Sequence, residues 1–185
     1  MTDTRIGKHA AGFTLLELMI TLIVIGTLLA VGVPGFFDTI RSNRAAANAN
    51  ELVTALGIAR SEAIRRGTRI TLCPTTNGAG CNGVWTQRWM LFADTATSDT
   101  AAPTFVAANL LREWNAPGGD AVITTRVGGA AAAVSWIRFL PRGQAVSSAG
   151  MPVLFNLEID GCSGLEGRDV EVNSVGRTSV ERVAC

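Results

Sequence analysis

Two hydrophobic patterns follow one another along the first third of the chain. From Phe13 to Val33 the sequence is apolar and carries one charged residue, Glu17. About 20 apolar residues are enough for a helix to cross the hydrocarbon core of a bilayer. Arg5 and Lys8 precede this run, and basic residues on that side hold an N-terminus in the cytoplasm. The pattern predicts one membrane-spanning helix, with the rest of the chain beyond the membrane.

The second pattern is an amphipathic stripe. Apolar residues recur at spacings of four, three and four, as on a helix face that packs against a core, at Leu52, Leu56, Ala59 and Ala63. Gly67 follows two arginines and is a predicted C-terminal stop. We therefore expect one long helix from Phe13 to Arg66. Pro34 lacks an amide hydrogen, so we expect a kink there.

Beyond Gly67 the pattern becomes that of short strands separated by turns rich in Gly, Pro, Asn and Asp. The predicted strands are 68–73, 85–93, 104–114, 121–127, 134–140, 153–159 and 169–172. Strands that follow one long helix predict an α+β fold with an antiparallel sheet packed on the helix. Aromatic residues lie in or beside the strands, and we expect them in the core rather than as stacking sites for single-stranded nucleic acid: Trp85, Trp89, Phe92, Trp114, Trp136, Phe139 and Phe155.

Glu17 requires a partner, because an isolated carboxylate costs about 2.5–3.5 kcal/mol in a membrane helix. Cleavage between Gly12 and Phe13 would create an ammonium group four residues before Glu17. In an assembly, this amine of one copy can neutralise the acid of the next. A secretory signal is shorter and is cut at a small-residue site after its apolar run, but here Pro34-Gly35-Phe36-Phe37 follow the run and form no such site. We therefore favour cleavage before the run over an uncleaved anchor.

Composition argues against catalysis. Once the first twelve residues are removed, the chain contains no His, Lys or Tyr, so the commonest general base and metal ligand and the Schiff-base amine are missing. The scattered acids Asp94, Asp120, Asp160 and Glu166 are expected to be solvated turn residues. The sequence predicts no catalytic residue, no metal, no cofactor and no small-molecule substrate.

The cysteines predict disulfides. Cys73, Cys81, Cys162 and Cys185 form an even set in a domain that lies outside the cytoplasm. Three pairings are possible, of which we favour Cys73 with Cys81 and Cys162 with Cys185. No Cys-x-x-Cys or Cys/His spacing indicates a zinc site.

The segment Gly12-Phe13-Thr14-Leu15-Leu16-Glu17 and its apolar helix resemble the class III signal of type IV pilins and type II secretion pseudopilins. The resemblance implies that a prepilin peptidase cuts after Gly12 and methylates Phe13, and that Glu17 guides assembly. It also implies a helix-kinking role for Pro34. The implied organisation is a leader (1–12), a transmembrane and filament-core helix (13–37), an amphipathic helix (38–67) and a β-rich periplasmic head (68–185).

The head resembles the GspH/FimT group of minor pilins and pseudopilins. The residues that carry this resemblance are 59–63, 71–74, 89–94 and 139–143. It implies a type IV pilin-like fold and a structural subunit of the inner membrane that enters a filament near its tip, with other pilins or pseudopilins as partners. The residues leave open whether the filament is a type IV pilus or a type II secretion pseudopilus.

An alternative comes from the FimT side of the group, in which some members bind DNA through a Gly-Arg-x-Arg motif. The corresponding residues are Gly176-Arg177-Thr178-Ser179, so the second arginine is missing. Arg177 and Arg182 are the candidate phosphate contacts, and two contacts give little affinity at physiological salt. We favour a simple turn near the end of the sheet.

Overall fold

The computed structural model describes residues 12–185, apart from the side chains of residues 31–34. One helix, α1 (Leu15–Arg66), is followed by strands and a short 3-10 helix, Ala107–Asn109. The strands are β1 (Ile70–Thr75), β2 (Arg88–Ala93), β3 (Leu110–Trp114), β4 (Ala121–Val127), β5 (Ala130–Ala131), β6 (Ile137–Phe139), β7 (Ala145–Ser147), β8 (Val153–Ile159), β9 (Gly167–Val172) and β10 (Thr178–Val183). The chain divides into two compact units between Phe37 and Asp38.

The strands form two antiparallel sheets, where the sequence predicted one. The first sheet has the order β3-β2-β1-β6-β7 and the second has the order β10-β9-β8-β4-β5. In the first sheet Leu72 of β1 lies opposite Leu91 on one side and Ile137 on the other. Strand periodicity identifies faces and not partners, so it did not separate the two sheets.

Two predicted strands, β4 and β8, have the predicted bounds. The others differ at one or both ends: β9 begins two residues earlier than predicted, whereas only the last five residues of the predicted strand 104–114 are extended in β3. Three strands were missed. Two of these are very short, and the third, β10, is exposed along most of its length, so it lacks a buried face that alternation would reveal.

The larger hydrophobic core of the second unit is shared by the helix and both sheets. Leu52, Leu56, Ala59 and Ala63 are 0% exposed, which confirms the predicted stripe. They join one cluster with side chains of the first sheet, such as Trp89 and Phe139, and of the second sheet, such as Phe155 and Val170. The aromatic residues predicted to be in the core are all buried: Trp85, Trp89, Phe92, Trp114, Trp136, Phe139 and Phe155.

The first sheet is covered on both faces. Its second face carries a smaller cluster of Cys73, Met90, Phe92 and Trp136, with Phe105 packed against it. Strand β1 is therefore buried at every residue, whereas β8 alternates between buried and half-buried positions. Continuous burial of this kind is typical of a strand inside a layer, and alternation of a strand with one solvated face.

The helix ends as the sequence predicts. Gly67 adopts a φ of +64°, and its amide donates to the Ala63 carbonyl at 3.0 Å. A left-handed residue at this position is most easily supplied by glycine, and it closes the last turn. Arg65 and Arg66 lie in that turn, where their charge suits the helix dipole.

Replacing Leu56 by Ala should lower the free energy of unfolding of residues 38–185 by about 2–5 kcal/mol, because it leaves a cavity in the shared core. Ile64→Ala on the same helix is the control, since Ile64 is 53% exposed and should cost well under about 1 kcal/mol. Urea denaturation followed by tryptophan fluorescence measures both. Equal losses in the two variants would contradict the placement of the stripe.

Candidate functional site

The first turn of α1 is capped by the residue that precedes it. The hydroxyl of Thr14 accepts the amide of Glu17 at 3.2 Å, and its carbonyl accepts the amide of Leu18 at 3.2 Å. Thr14 and Glu17 have the spacing of a capping box, Thr-x-x-Glu. Glu17 thus lies in the first turn, where a helix dipole favours a negative charge.

The first unit exposes its apolar side chains all around the helix. Among the described residues, the large apolar side chains between Phe13 and Phe37 are 50% to 83% exposed. The most apolar window of α1 has a mean hydropathy of 2.4 and none of it is buried, so this helix is long and apolar enough to cross a membrane. Covering these side chains stabilises by about 0.8 kcal/mol for each buried methylene group, so the segment requires an apolar environment.

Polar groups within this apolar helix are satisfied internally, apart from the carboxylate. The hydroxyls of Thr21 and Thr27 each donate to a carbonyl three residues earlier, at 2.8 Å. These bonds satisfy the hydroxyl donors within the helix, which matters because lipid tails offer no hydrogen-bond acceptor. Within residues 12–30 and 35–185, whose side chains the structure describes, no hydrogen bond or ion pair reaches the Glu17 carboxylate.

The predicted processing residues lie immediately before this helix. Gly12 and Phe13 precede its first residue, Leu15, and Phe13 is 83% exposed. The leader residues 1–11 lie outside the described residues. Pro34 lies within α1, and bending at this residue stays a prediction.

The second unit contains a buried ion pair that the sequence pattern did not predict. Asp94 was expected to be solvated, but it and Arg138 both have fully buried side chains, with Nη2 at 2.5 Å from Oδ2. Thr71 donates to the same carboxylate oxygen at 2.6 Å. Arg138 also stacks over Trp136, with its guanidinium carbon 4.5 Å from the ring centroid. The available signal in the sequence was one charged residue within or directly after an apolar segment, Arg138 between Ile137 and Phe139 and Asp94 after residues 89–93.

This pair fastens the segment between β2 and β3 onto the outer face of the first sheet. The second carboxylate oxygen of Asp94 accepts the amides of Ala96 and Thr104, each at 2.9 Å. Arg138 donates to the carbonyls of Ser98, at 3.1 Å, and Asp99. Burial raises the pKa of Asp94. The hydrogen bonds that its carboxylate accepts from Thr71, Thr104, Ala96 and Arg138 outweigh burial and hold this pKa below its ordinary value.

A second polar contact joins the helix to two turns. Arg60 donates through Nε to the Gly143 carbonyl and through Nη2 to the Val175 carbonyl, both at 3.1 Å. The turns themselves touch, because a Cβ at Gly176 would overlap the Gly143 oxygen. Gly176 also has a φ of +76°, so this position requires glycine on two counts. Arg60 and Gly143 belong to the motifs that carry the resemblance to GspH/FimT, as do Thr71 and Asp94.

The two candidate phosphate contacts do not converge. Arg177 lies directly before β10, where its amide donates to the Asn173 side chain at 2.9 Å. Arg182 lies within β10 and donates to the Leu165 carbonyl. Five residues of extended chain span about 17 Å, and an odd separation places the two side chains on opposite faces. The DNA-binding alternative therefore has no support in this structure.

The four cysteines form the two disulfides that we favoured, Cys73–Cys81 and Cys162–Cys185. Their Cα atoms are 5.4 and 6.0 Å apart. Glu166, which was expected to be solvated, is instead 5% exposed beside the second disulfide. Asp120 and Asp160 are exposed in turns, as expected.

A surface depression of about 430 Å³ lies beside β4, but its lining carries no acidic or basic side chain. Its lining consists of glycine, alanine, valine, isoleucine, threonine, serine and the Trp85 ring, with no titratable side chain among them. It offers no acid or base beside its threonine and serine hydroxyls, so nothing in the lining would activate them.

Comparisons with known families and structures agree with this architecture. Residues 48–176 match the family described as type II transport protein GspH, and residues 7–33 match the prokaryotic N-terminal methylation motif. The chain is similar to the type IV minor pilin FimU of Pseudomonas aeruginosa strain PAO1 in one crystal form, with 20% identity, a TM-score of 0.53, and coverage of 75% of this chain and 89% of FimU. For a second crystal form of FimU the identity is 21%, the TM-score 0.50 and the coverage 74% and 91%.

A further similar structure is the minor pseudopilin EpsH from the type 2 secretion system of Vibrio cholerae. Its identity is 16%, its TM-score 0.48, and the match covers 76% of this chain and 97% of EpsH.

The fold is therefore that of a type IV pilin-like protein, with a long N-terminal helix and a β-rich head. The chain belongs to the GspH family, because that family model spans most of its length. It is a minor pilin or pseudopilin subunit, and it carries the N-terminal methylation motif of such subunits. The matched range ends at Gly176, so it includes the contact between the two turns and stops before Arg177.

Replacing Asp94 by Asn should lower the free energy of unfolding of residues 38–185 by about 3–5 kcal/mol, because Arg138 is left buried without its counter-charge. Asp99→Asn is the matched control: its ion pair with Arg69 is partly exposed and should contribute less than about 1 kcal/mol. Chemical denaturation at pH 7 measures the difference. Similar losses for the two variants would contradict the prediction that the buried pair stabilises the fold more than the exposed pair does.

The same carboxylate predicts a pH dependence. Because the pKa of Asp94 is lower in the folded state, its contribution is complete above the unfolded pKa of about 4 and is lost as the pH falls through the folded value. Denaturation midpoints between pH 6 and pH 2 should fall more steeply in the wild type than in Asp94→Asn. Asp99→Asn should retain the wild-type slope.

Proposed function

We propose that this minor subunit is made as a membrane-anchored precursor, is cut between Gly12 and Phe13, and enters a filament of pilin-like subunits through α1. The filament is that of a type IV pilus or a type II secretion system. The observation that carries the proposal is the uncovered apolar helix of the first unit, with a single acid in its first turn. A surface of that kind needs a bilayer before assembly and other apolar helices after it.

The proposed location is the inner membrane. Arg5 and Lys8 precede the apolar run, so the N-terminus faces the cytoplasm and residues 38–185 face the periplasm. The enzyme proposed to act on the chain is a prepilin peptidase, which cuts after Gly12 and methylates Phe13. The two disulfides in the second unit agree with a periplasmic head, because disulfides persist in that oxidising compartment.

Assembly then depends on polar contacts more than on apolar ones. Lipid tails are as apolar as leucine, so moving the helix from lipid into a helix bundle gains little from the hydrophobic effect. The Glu17 carboxylate differs, because it is costly in lipid and becomes neutralised when the Phe13 amine of a neighbouring subunit approaches. We infer that this pair favours the bundle and fixes the register of adjacent helices.

The remaining parts have structural roles in this proposal. Residues 13–37 enter the filament core, Pro34 allows the helix to adjust as subunits pack, and residues 38–67 support the head formed by residues 68–185. The subunit is not an enzyme; the largest polar network of the head, around Asp94 and Arg138, is buried and is used to fasten a loop. Its partners are other pilins or pseudopilins.

Replacing Glu17 by Ala should leave membrane insertion and cleavage intact but strongly reduce incorporation into filaments, because the neighbour's amine is then buried without a counter-charge. Breaking such a pair costs about 3–5 kcal/mol. Mass spectrometry of the membrane fraction tests cleavage, which should give a chain that begins at methylated Phe13. Immunoblots of sheared or cross-linked filament fractions test incorporation.

The matched control is Glu51→Ala, an exposed acid on the same helix but in the second unit, which should enter filaments at the wild-type level. Normal recovery of Glu17→Ala in filaments would contradict the assembly role of Glu17. An intact Met1 terminus on assembled wild-type subunits would contradict the processing step.

A further inference from the structure

Three residues of types that can ligate a metal lie together at the end of the second sheet. The sulfur atoms of Cys162 and Cys185 and a carboxylate oxygen of Glu166 all lie within 4.8 Å of one another. In the structure the two sulfurs are joined as a disulfide. Two thiolates and one carboxylate are, however, a ligand set that Zn²⁺ accepts in proteins.

Each of the three residues is positioned by contacts that do not involve the sulfur–sulfur bond. The Cys162 amide donates to the Ile159 carbonyl at 2.9 Å, just after β8. The Cys185 amide donates to the Gly164 carbonyl at 3.0 Å, beyond the end of β10. The Glu166 carboxylate accepts the amide of Ser163 at 3.1 Å. The loop and the strand ends therefore keep the ligands near one another when the disulfide is opened.

Glu166 is unusual for a buried carboxylate. It is 5% exposed, yet none of the ion pairs among the described residues includes it. A buried charge is normally paired or bound to a metal. Two arginines that contact this loop donate to backbone carbonyls instead: Arg168 to those of Glu166 and Gly167, and Arg182 to that of Leu165.

We propose that the reduced form of this protein binds one Zn²⁺ through the Cys162 and Cys185 thiolates and the Glu166 carboxylate, with water as the fourth ligand. The three anionic ligands give the zinc centre a net charge of −1. Arg168 and Arg182 lie opposite each other on β9 and β10, next to this loop, and their positive charges offset that excess.

The site opens by thiol–disulfide exchange with a dithiol. One thiolate of the dithiol attacks the Cys162–Cys185 bond, the second resolves the mixed disulfide, and two electrons and two protons pass to the cysteines. The dithiol becomes a disulfide and the protein gains two thiols. Zn²⁺ then binds as both thiol protons leave.

The other disulfide provides an internal comparison. Cys73 is 0% exposed, and no third ligand accompanies the Cys73–Cys81 pair among the residues that the structure describes. The Cys162–Cys185 pair is more accessible, since Cys185 is exposed and Cys162 is half-buried. A reductant therefore reaches the proposed ligands more readily than the other pair.

Cobalt titration of the full chain in detergent tests the site. The protein is reduced with a phosphine, freed of reductant under anaerobic conditions, and titrated with Co²⁺ followed by Zn²⁺. Wild-type protein should show thiolate-to-cobalt charge-transfer absorption that saturates at one metal per chain and disappears as Zn²⁺ displaces Co²⁺. The oxidised protein should show none.

Two sets of variants separate a three-ligand site from adventitious binding. The double variant Cys162→Ser/Cys185→Ser, which keeps Cys73 and Cys81, should lose the absorption. Glu166→Gln keeps every cysteine and should weaken binding by about tenfold or more. The exposed neighbour Glu171→Gln should bind as the wild type does. Binding by the double serine variant, or equal affinity of Glu166→Gln and Glu171→Gln, would overturn the proposal.

Discussion

The architecture of the second unit depends on how closely its two sheets approach the helix. Ala49, Ala55, Ala59 and Ala63 are all completely buried, and their small side chains leave room for strands next to the helix backbone. The same stripe serves both sheets, because residues of each belong to one continuous hydrophobic cluster. Trp85 completes this junction: its ring packs edge-on against Phe155 of the second sheet at 4.8 Å, and its indole donates to the Val134 carbonyl. A bulky residue on the stripe would therefore separate both layers from the helix.

Polar contacts hold the parts of the head that the hydrophobic core does not reach. Arg60 extends from the helix to the carbonyls of two turns, one from each sheet. Arg138 extends in the other direction, to carbonyls of the segment that covers the outer face of the first sheet. Both arginines therefore act as multiple donors to backbone carbonyls, a role for which the fixed fork of a guanidinium is suited.

Sequence patterns were sufficient where a residue's environment is set by its own element. The buried stripe, the stop at Gly67 and the buried aromatic residues are of this kind, and all were confirmed. Patterns failed where the environment is set by residues distant in the chain. Asp94 follows a strand and precedes a polar segment, so it resembles a turn acid, and only the pairing of β1 with β6 brings Arg138 to it. Glu166 is buried by a loop and by the second disulfide for the same reason. The order of strands in two sheets is likewise a long-range property.

The apolar side chains of the helix are buried in the second unit and exposed in the first. In the second unit, the apolar face of the helix is fully covered by strands of the same chain, so this face needs no further partner. In the first unit, the described apolar side chains are exposed on every side, and the threonine hydroxyls are satisfied within the helix. A lipid bilayer and a bundle of similar helices cover such a surface about equally well. The choice between them must then come from a group that the two environments treat differently, and in this segment Glu17 is the charged group that remains. In the assembly that we propose, the function of the subunit thus depends on this one carboxylate, which a neighbouring subunit neutralises.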